Sequence, residues 1–295
     1  MMNFTTLIDV ASLAGLLANS VKSPEPRPVV LDCRFELTVP DAGRRAYLTS
    51  HLPGARYADL NQVLAAPVSA DSGRHPLPLP GVMAGRWAAL GVGNDTQVIA
   101  YDDANGSFAA RAWWLLRWLG HARVAVLDGG FKAWVASGGA VESGAGEEGA
   151  SRHAVRFEPH VDPGAVATSA EVLQALRDPA RLLVDARAAE RYAGTVEPLD
   201  SVAGHVPGAV NHPFTANLSA DGCFLAPEEL RRRWQERLGG AAPDDVIVMC
   251  GSGVTACHNL LAMELAGLSG AKLYAGSWSE WIRDPERPVA RGSAR

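Results

Sequence analysis

Cys250 ends an apolar, β-branched run, Val246-Ile247-Val248-Met249, and opens into Gly251-Ser252-Gly253-Val254-Thr255-Ala256, ahead of a helical pattern from Ala256 to Ala266. A strand, a tight loop with glycines at its second and fourth positions and a following helix let successive backbone N–H groups converge on one point. The helix N-terminus adds partial positive charge, so such a loop attracts an anion and suits a nucleophilic cysteine better than an inert core thiol. Cys250 is therefore the candidate nucleophile. Backbone N–H groups from Gly251 to Thr255, those of Gly253 and Val254 among them, would hold developing negative charge, with the Ser252 and Thr255 hydroxyls as further donors.

The elements that must hold this loop occur twice. Val29-Val30-Leu31-Asp32 followed by His51-Leu52-Pro53-Gly54-Ala55 is answered, about 150 residues on, by Leu182-Leu183-Val184-Asp185 and His205-Val206-Pro207-Gly208-Ala209. Val98-Ile99-Ala100-Tyr101-Asp102 answers the run into Cys250, and Gly129-Gly130-Phe131-Lys132-Ala133-Trp134 answers Gly276-Ser277-Trp278-Ser279-Glu280-Trp281. At the cysteine the copies differ, since the first half carries Asp102. Short apolar runs alternate with helical patterns in each half, which predicts an α/β protein of two tandem domains, each a parallel sheet with helices on both faces. Thr168-Ser169-Ala170-Glu171 predicts a capped helix start. The Gly-rich stretch from Ser143 to Gly149 marks the boundary, giving residues 1–143, a linker at 144–155 and residues 156–295.

Composition removes other classes. The 295 residues, 47% hydrophobic and 20% charged, exclude wholesale disorder. With 27 basic against 32 acidic residues, a net charge of −5 and no basic stripe, no nucleic-acid partner is expected. No apolar run reaches the roughly 18–20 residues of a membrane helix, and the N-terminus lacks a positive n-region, so a soluble, cytoplasmic protein with no membrane partner is expected. Cys33, Cys223, Cys250 and Cys257 form no C-x-x-C pair, so neither a zinc site nor a disulfide framework is indicated.

On these residues the chain resembles the tandem-domain rhodanese family of sulfurtransferases over nearly its whole length. The string from Cys250 to Ala256 looks like the active loop of the branch that uses 3-mercaptopyruvate. The thiosulfate-preferring branch typically carries Arg and Lys where Gly251 and Ser252 stand. The resemblance implies an inactive first copy and a catalytic second copy in which sulfur is held on Cys250 as a persulfide. It implies Arg191, in Asp185-Ala186-Arg187-Ala188-Ala189-Glu190-Arg191, as the anchor of an anionic donor. Nine residues on, where the 3-mercaptopyruvate branch usually has a second arginine, stands Asp200, which resembles the thiosulfate branch. His75, in Ser72-Gly73-Arg74-His75-Pro76, matches a histidine of the first branch that works with an acidic residue, but the acidic position is Asn61. His75 could still act as an acid or as a donor to the bound sulfur compound, or be a surface loop histidine. The expected partners are a small-molecule sulfur donor and an acceptor such as thioredoxin, another thiol or cyanide. A monomer with no metal or organic cofactor is implied.

Other residues read as scaffold. His51 and His205 recur in both copies and are expected to be structural, and Cys257 and His258 to pack in the core. The tryptophans, Trp113, Trp114, Trp118, Trp134, Trp278 and Trp281, read mostly as packing, with Trp278 also a candidate wall of the cleft. Arg231-Arg232-Arg233 reads as a solvated helix face. Two rivals have different chemistry: a cysteine phosphatase, which needs an arginine where Ala256 stands, and a rhodanese-like binding module without catalysis.

Overall fold

The computed structural model describes residues 3–20, 27–146 and 155–292. Residues 147–154, most of the expected linker, lie outside the described residues. The chain divides into two compact units, one of Met1–Ala66 with Pro78–Asp162 and one of Pro67–Leu77 with Pro163–Arg295.

Unit 1 contains, in order, β1 (Leu7–Ile8), α1 (Val10–Ser20), β2 (Val29–Asp32), α2 (Ala42–Thr49), β3 (Arg56–Tyr57), α3 (Pro80–Ala89), β4 (Val98–Tyr101), α4 (Ala109–Trp118), β5 (Val124–Leu127) and α5 (Gly130–Ala136). Its sheet runs β1-β5-β4-β2-β3, with every pairing parallel. β2, β4 and β5 are buried along their whole length, as continuous Val/Ile/Leu runs covered on both faces must be. Ile8, Leu13, Tyr47, Leu52, Ile99, Leu127 and Trp134 belong to one core cluster of this unit.

Unit 2 repeats the plan with α6 (Ser169–Ala175), β6 (Leu182–Asp185), α7 (Ala189–Ala193), β7 (Val210–Asn211), α8 (Pro227–Leu238), β8 (Val246–Met249), α9 (Thr255–Leu265), β9 (Lys272–Leu273) and α10 (Ser277–Trp281). The order β7-β6-β8-β9 is that of β3-β2-β4-β5, again all parallel. A parallel bridge from Val166 to Leu273 stands where β1 pairs β5. The expected capping box is present: the Glu171 N–H donates to Thr168 Oγ1 at 3.2 Å, and Glu171 Oε2 accepts from the Thr168 N–H at 2.7 Å.

The duplication extends to side chains. Arg34 and Arg187 each reach back in a bidentate grip on the aspartate that ends the preceding strand, Asp32 and Asp185, and each also donates to a backbone carbonyl, of Ser50 and Gly204. His51 and His205 are buried, stack on Tyr47 and Tyr192, and place Nδ1 2.8 Å from the same tyrosines' carbonyl oxygens. Their expected structural role has this geometry behind it. Among the described residues no helix is long and apolar enough to cross a membrane.

Candidate functional site

In unit 2 the chain passes from β6 to β7 on one side and then to β8 on the other, so the switch point of the sheet lies between β6 and β8. Open α/β sheets hold ligands beyond the carboxyl ends of the strands at such a point. Cys250 is the first residue past β8, in register with the Asp185-Ala186 end of β6, whose Ala186 N–H donates to Met249 O at 2.8 Å.

Cys250 is 2% exposed, and the Gly253 N–H donates to its Sγ at 3.1 Å. Gly253 reaches this position with φ +78°, and a Cβ there would collide with the Ala275 backbone, so the place requires glycine. Val254 precedes α9 and Thr255 begins it, so the loop feeds directly into the helix N-terminus. Cys257, one turn into α9, is fully buried and its Sγ donates to Gly253 O at 3.2 Å; His258 is also fully buried. Both have the core placement expected of them.

Two guanidinium groups face the first loop residue. A Cβ on Gly251 would stand 2.9 Å from Arg74 Nη2 and 3.4 Å from Arg191 Nη1, so the missing side chain makes room for both. Asp200 pairs with both arginines, accepting from Arg74 Nη1 and, at 3.1 Å, from Arg191 Nη2. Glu197 accepts from Arg191 Nη2 at 2.7 Å and lies 3.6 Å from Arg187 Nη1. Burial works against ionisation of Glu197, but hydrogen bonds from Arg191 and from the Leu199 and Asp200 N–H groups outweigh it and hold the carboxyl below its usual range. At Asp200 burial wins over the two arginines and the carboxyl is pushed up. Burial also opposes the charged form of Arg187, but Asp185, Glu197 and the Cys250 sulfur keep it charged. Its guanidinium stacks 4.7 Å from the Trp278 ring.

Ser252 and His75 meet: His75 Nδ1 lies 2.8 Å from Ser252 Oγ, with His75 4% and Ser252 6% exposed. His75 is thus not a surface histidine. It belongs to the 67–77 segment of unit 2, and the Arg74 N–H beside it donates to Ser279 Oγ at 3.0 Å. Asn61 lies in unit 1, where its N–H donates to Asp59 Oδ1.

The equivalent loop of unit 1 shows what this backbone shape does. Asp102 is structurally matched to Cys250: the Phe131 N–H donates to Asp102 O as the Trp278 N–H donates to Cys250 O. The Asp102 carboxylate is fully buried and accepts four backbone N–H bonds, from Ala104, Gly106, Phe108 and Ala109, at 2.7–2.9 Å. Burial pushes its pKa up and the four donors pull against that shift. The loop is a cradle for an anionic group two bonds beyond Cβ.

The structure therefore brings Cys250, Ser252, His75, Arg191, Gly251 and Gly253 to one place, with Val254 and Thr255 at the helix entry. Sequence reasoning missed Arg74, although it adjoins His75, and missed that Arg187 pairs with Asp185; the repeated Asp-x-Arg of the two halves was the available signal for the latter. Among the described residues no group of three His, Cys, Asp or Glu side chains is placed to hold a metal.

The Rhodanese-like domain family matches residues 14–137 and again 168–284. A protein of Pseudomonas aeruginosa named "Probable 3-mercaptopyruvate sulfurtransferase" is 48% identical over 293 residues, 99% of this chain and 100% of that one. The thiosulfate sulfurtransferase of Cricetulus griseus is 37% identical over 287 residues, 94% of each chain. The crystal structure of SseA from Escherichia coli, described in terms of 3-mercaptopyruvate sulfotransferases and the rhodanese fold, superposes with a TM-score of 0.77 at 33% identity, covering 94% of this chain and 100% of that one.

Proposed function

The chain belongs to the rhodanese-like family, and from that premise we propose that it is a sulfurtransferase that carries sulfur from 3-mercaptopyruvate to a thiol or cyanide acceptor as a persulfide on Cys250. The observation that carries the reading is the placement of Cys250 at the switch point of unit 2, under the Gly253 N–H and next to Gly251, which two guanidinium groups face. In this reading residues 156–295 hold the catalytic cysteine and residues 1–143 the copy that has lost it.

Arg191 and Arg74 anchor the donor carboxylate over Gly251, a task a planar guanidinium performs well. The Cys250 thiolate attacks the donor sulfur. An S–S bond forms, and the bond from sulfur to C3 breaks with its electron pair going to carbon as the pyruvate enolate. Cys250 is left at the persulfide level, and the enolate takes a proton, overall the one from the donor thiol, to give pyruvate. Ser252, hydrogen-bonded to His75, is placed to relay that proton. The outer persulfide sulfur stands two bonds beyond Cβ, the place where the unit 1 loop holds the Asp102 carboxylate. In the second half-reaction an acceptor thiolate or cyanide attacks this sulfur, and the S–S electron pair returns to Cys250.

Thiosulfate is the second reading, supported by the resemblance of Asp200 to that branch and not by its charge. Two features support 3-mercaptopyruvate over it. Arg74, Arg187 and Arg191 are matched in one network by Asp185, Glu197 and Asp200, so the site carries little spare positive charge for a dianion. Gly251 and Ser252 also supply no cation to the loop. The test is pyruvate release from 3-mercaptopyruvate. Cys250→Ser should abolish it while the folded circular dichroism spectrum persists, and the wild-type kcat/KM should exceed that for thiosulfate. Turnover by Cys250→Ser would exclude the reading.

A further inference from the structure

Ser277 holds a conformation that its residue type disfavours. It opens α10 with φ +53°, fully buried, in the left-handed region where a side chain is strained. The matched residue of unit 1 is Gly130, at φ +58°, the residue expected there if chain geometry alone decided. In unit 1 a Cβ at this position would run into the Asp102 carbonyl.

The Ser277 side chain reaches the candidate nucleophile's own backbone. Its Oγ accepts from the Cys250 N–H at 3.0 Å and donates to Tyr274 O at 2.9 Å, so the hydroxyl is oriented from both sides. The next two residues complete the grip: the Trp278 N–H donates to Cys250 O at 3.0 Å and the Ser279 N–H to Gly251 O at 2.9 Å. The peptides before and after Cys250 are thus both tied to one turn. The same turn, through Ser279 Oγ, receives the Arg74 N–H.

We propose that Ser277 is a positioning residue for sulfur transfer: its hydroxyl fixes the Cys250 backbone so that Sγ is aimed into the cradle, in exchange for the left-handed strain that glycine would avoid. Preorganised placement of a nucleophile acts on the reacting step rather than on ground-state binding, and a displacement of about 1 Å can cost on the order of 100-fold in rate. The proposal rests on Cys250 as the sulfur-carrying residue.

Ser277→Gly relieves the strain and removes the hydroxyl, while Ser277→Ala removes the hydroxyl and keeps the strain. Single-turnover pyruvate formation from 3-mercaptopyruvate, with enzyme in excess, reads the loading step in each. The expected result is a loading rate at least about tenfold below wild type in both, with the donor concentration at half-maximal rate within about twofold of wild type. Both variants leave the buried Cys250 N–H without its acceptor and should unfold below the wild-type Tm, Ser277→Gly by less because it also relieves the strain. Wild-type loading in either variant overturns the positioning role, as does a loss that appears in the donor concentration at half-maximal rate and not in the loading rate. A wild-type protein that releases no pyruvate in this assay overturns the functional reading itself, and the two failures are thereby distinguished.

Discussion

With 3-mercaptopyruvate the broken bond leaves its electron pair on carbon, whereas thiosulfate departs as sulfite, whose oxygens carry the charge without a proton. If the Ser252–His75 pair, 2.8 Å apart and buried, supplies that proton as proposed, it should matter to one donor and not the other. His75→Ala should lower kcat with 3-mercaptopyruvate by about 100-fold, the ordinary scale of general acid catalysis, and change kcat with thiosulfate by less than about threefold. Steady-state kinetics with both donors check this, and equal losses would remove His75 from proton transfer. Cys250 was legible because a strand, a Gly-x-Gly turn and a helix are local patterns. Arg74 was not, because its significance lies in an ion pair with Asp200, 126 residues away in the chain. Ser277 left one trace in the sequence, the serine set against Gly130 in the other copy, and its meaning depends on a backbone angle.

The duplicated strand–loop–helix element supports a test that leaves the cysteine untouched. Asp102 collects four N–H groups in the unit 1 loop. Asp102→Ala leaves these buried donors without a carboxylate, at about 1–3 kcal/mol for each that water does not reach. The variant should lose on the order of 3 kcal/mol in denaturant unfolding, and a midpoint equal to wild type would show that the cradle does not depend on its anion. The sequence patterns located β2, β4, β6, β8 and the helix after β8 to within one or two residues. Strands β3 and β7, two residues each, gave no signal, because a run that short has no period to read. They form because β2 and β6 offer a parallel edge, which is tertiary information.

At the scale of the whole molecule, stability should depend on pH through a buried polar cluster behind the site. His212 is 4% exposed, and its Nε2 lies 3.1 Å from Asn217 Oδ1, which also accepts from Trp234 Nε1. Burial, helped by Arg237 and Arg233, pushes the His212 pKa down to about 4 against the pull of its bond to Asn217. Between its ordinary value near 6.5 and 4 the unfolded chain takes up a proton that the folded protein refuses. Stability therefore falls as pH drops through this window, by about 1.4 kcal/mol per pH unit from this residue. His212→Gln should be less stable at pH 7 but lose less between pH 6.5 and 5, as read by denaturant unfolding; parallel losses would contradict the assignment. The two-domain plan was legible from the repeat. That residues 67–77 group with unit 2 was not, because such grouping follows long-range packing and leaves no mark in composition. Whether Cys250 carries the sulfur is read from intact-protein mass after brief exposure to 3-mercaptopyruvate or thiosulfate. The wild type should gain one sulfur atom, ~32 Da, faster with 3-mercaptopyruvate, lose it on adding a thiol acceptor, and Cys250→Ser should gain none. A wild type that gains no mass with either donor, or a Cys250→Ser variant that gains it, would show that the sulfur does not travel on Cys250.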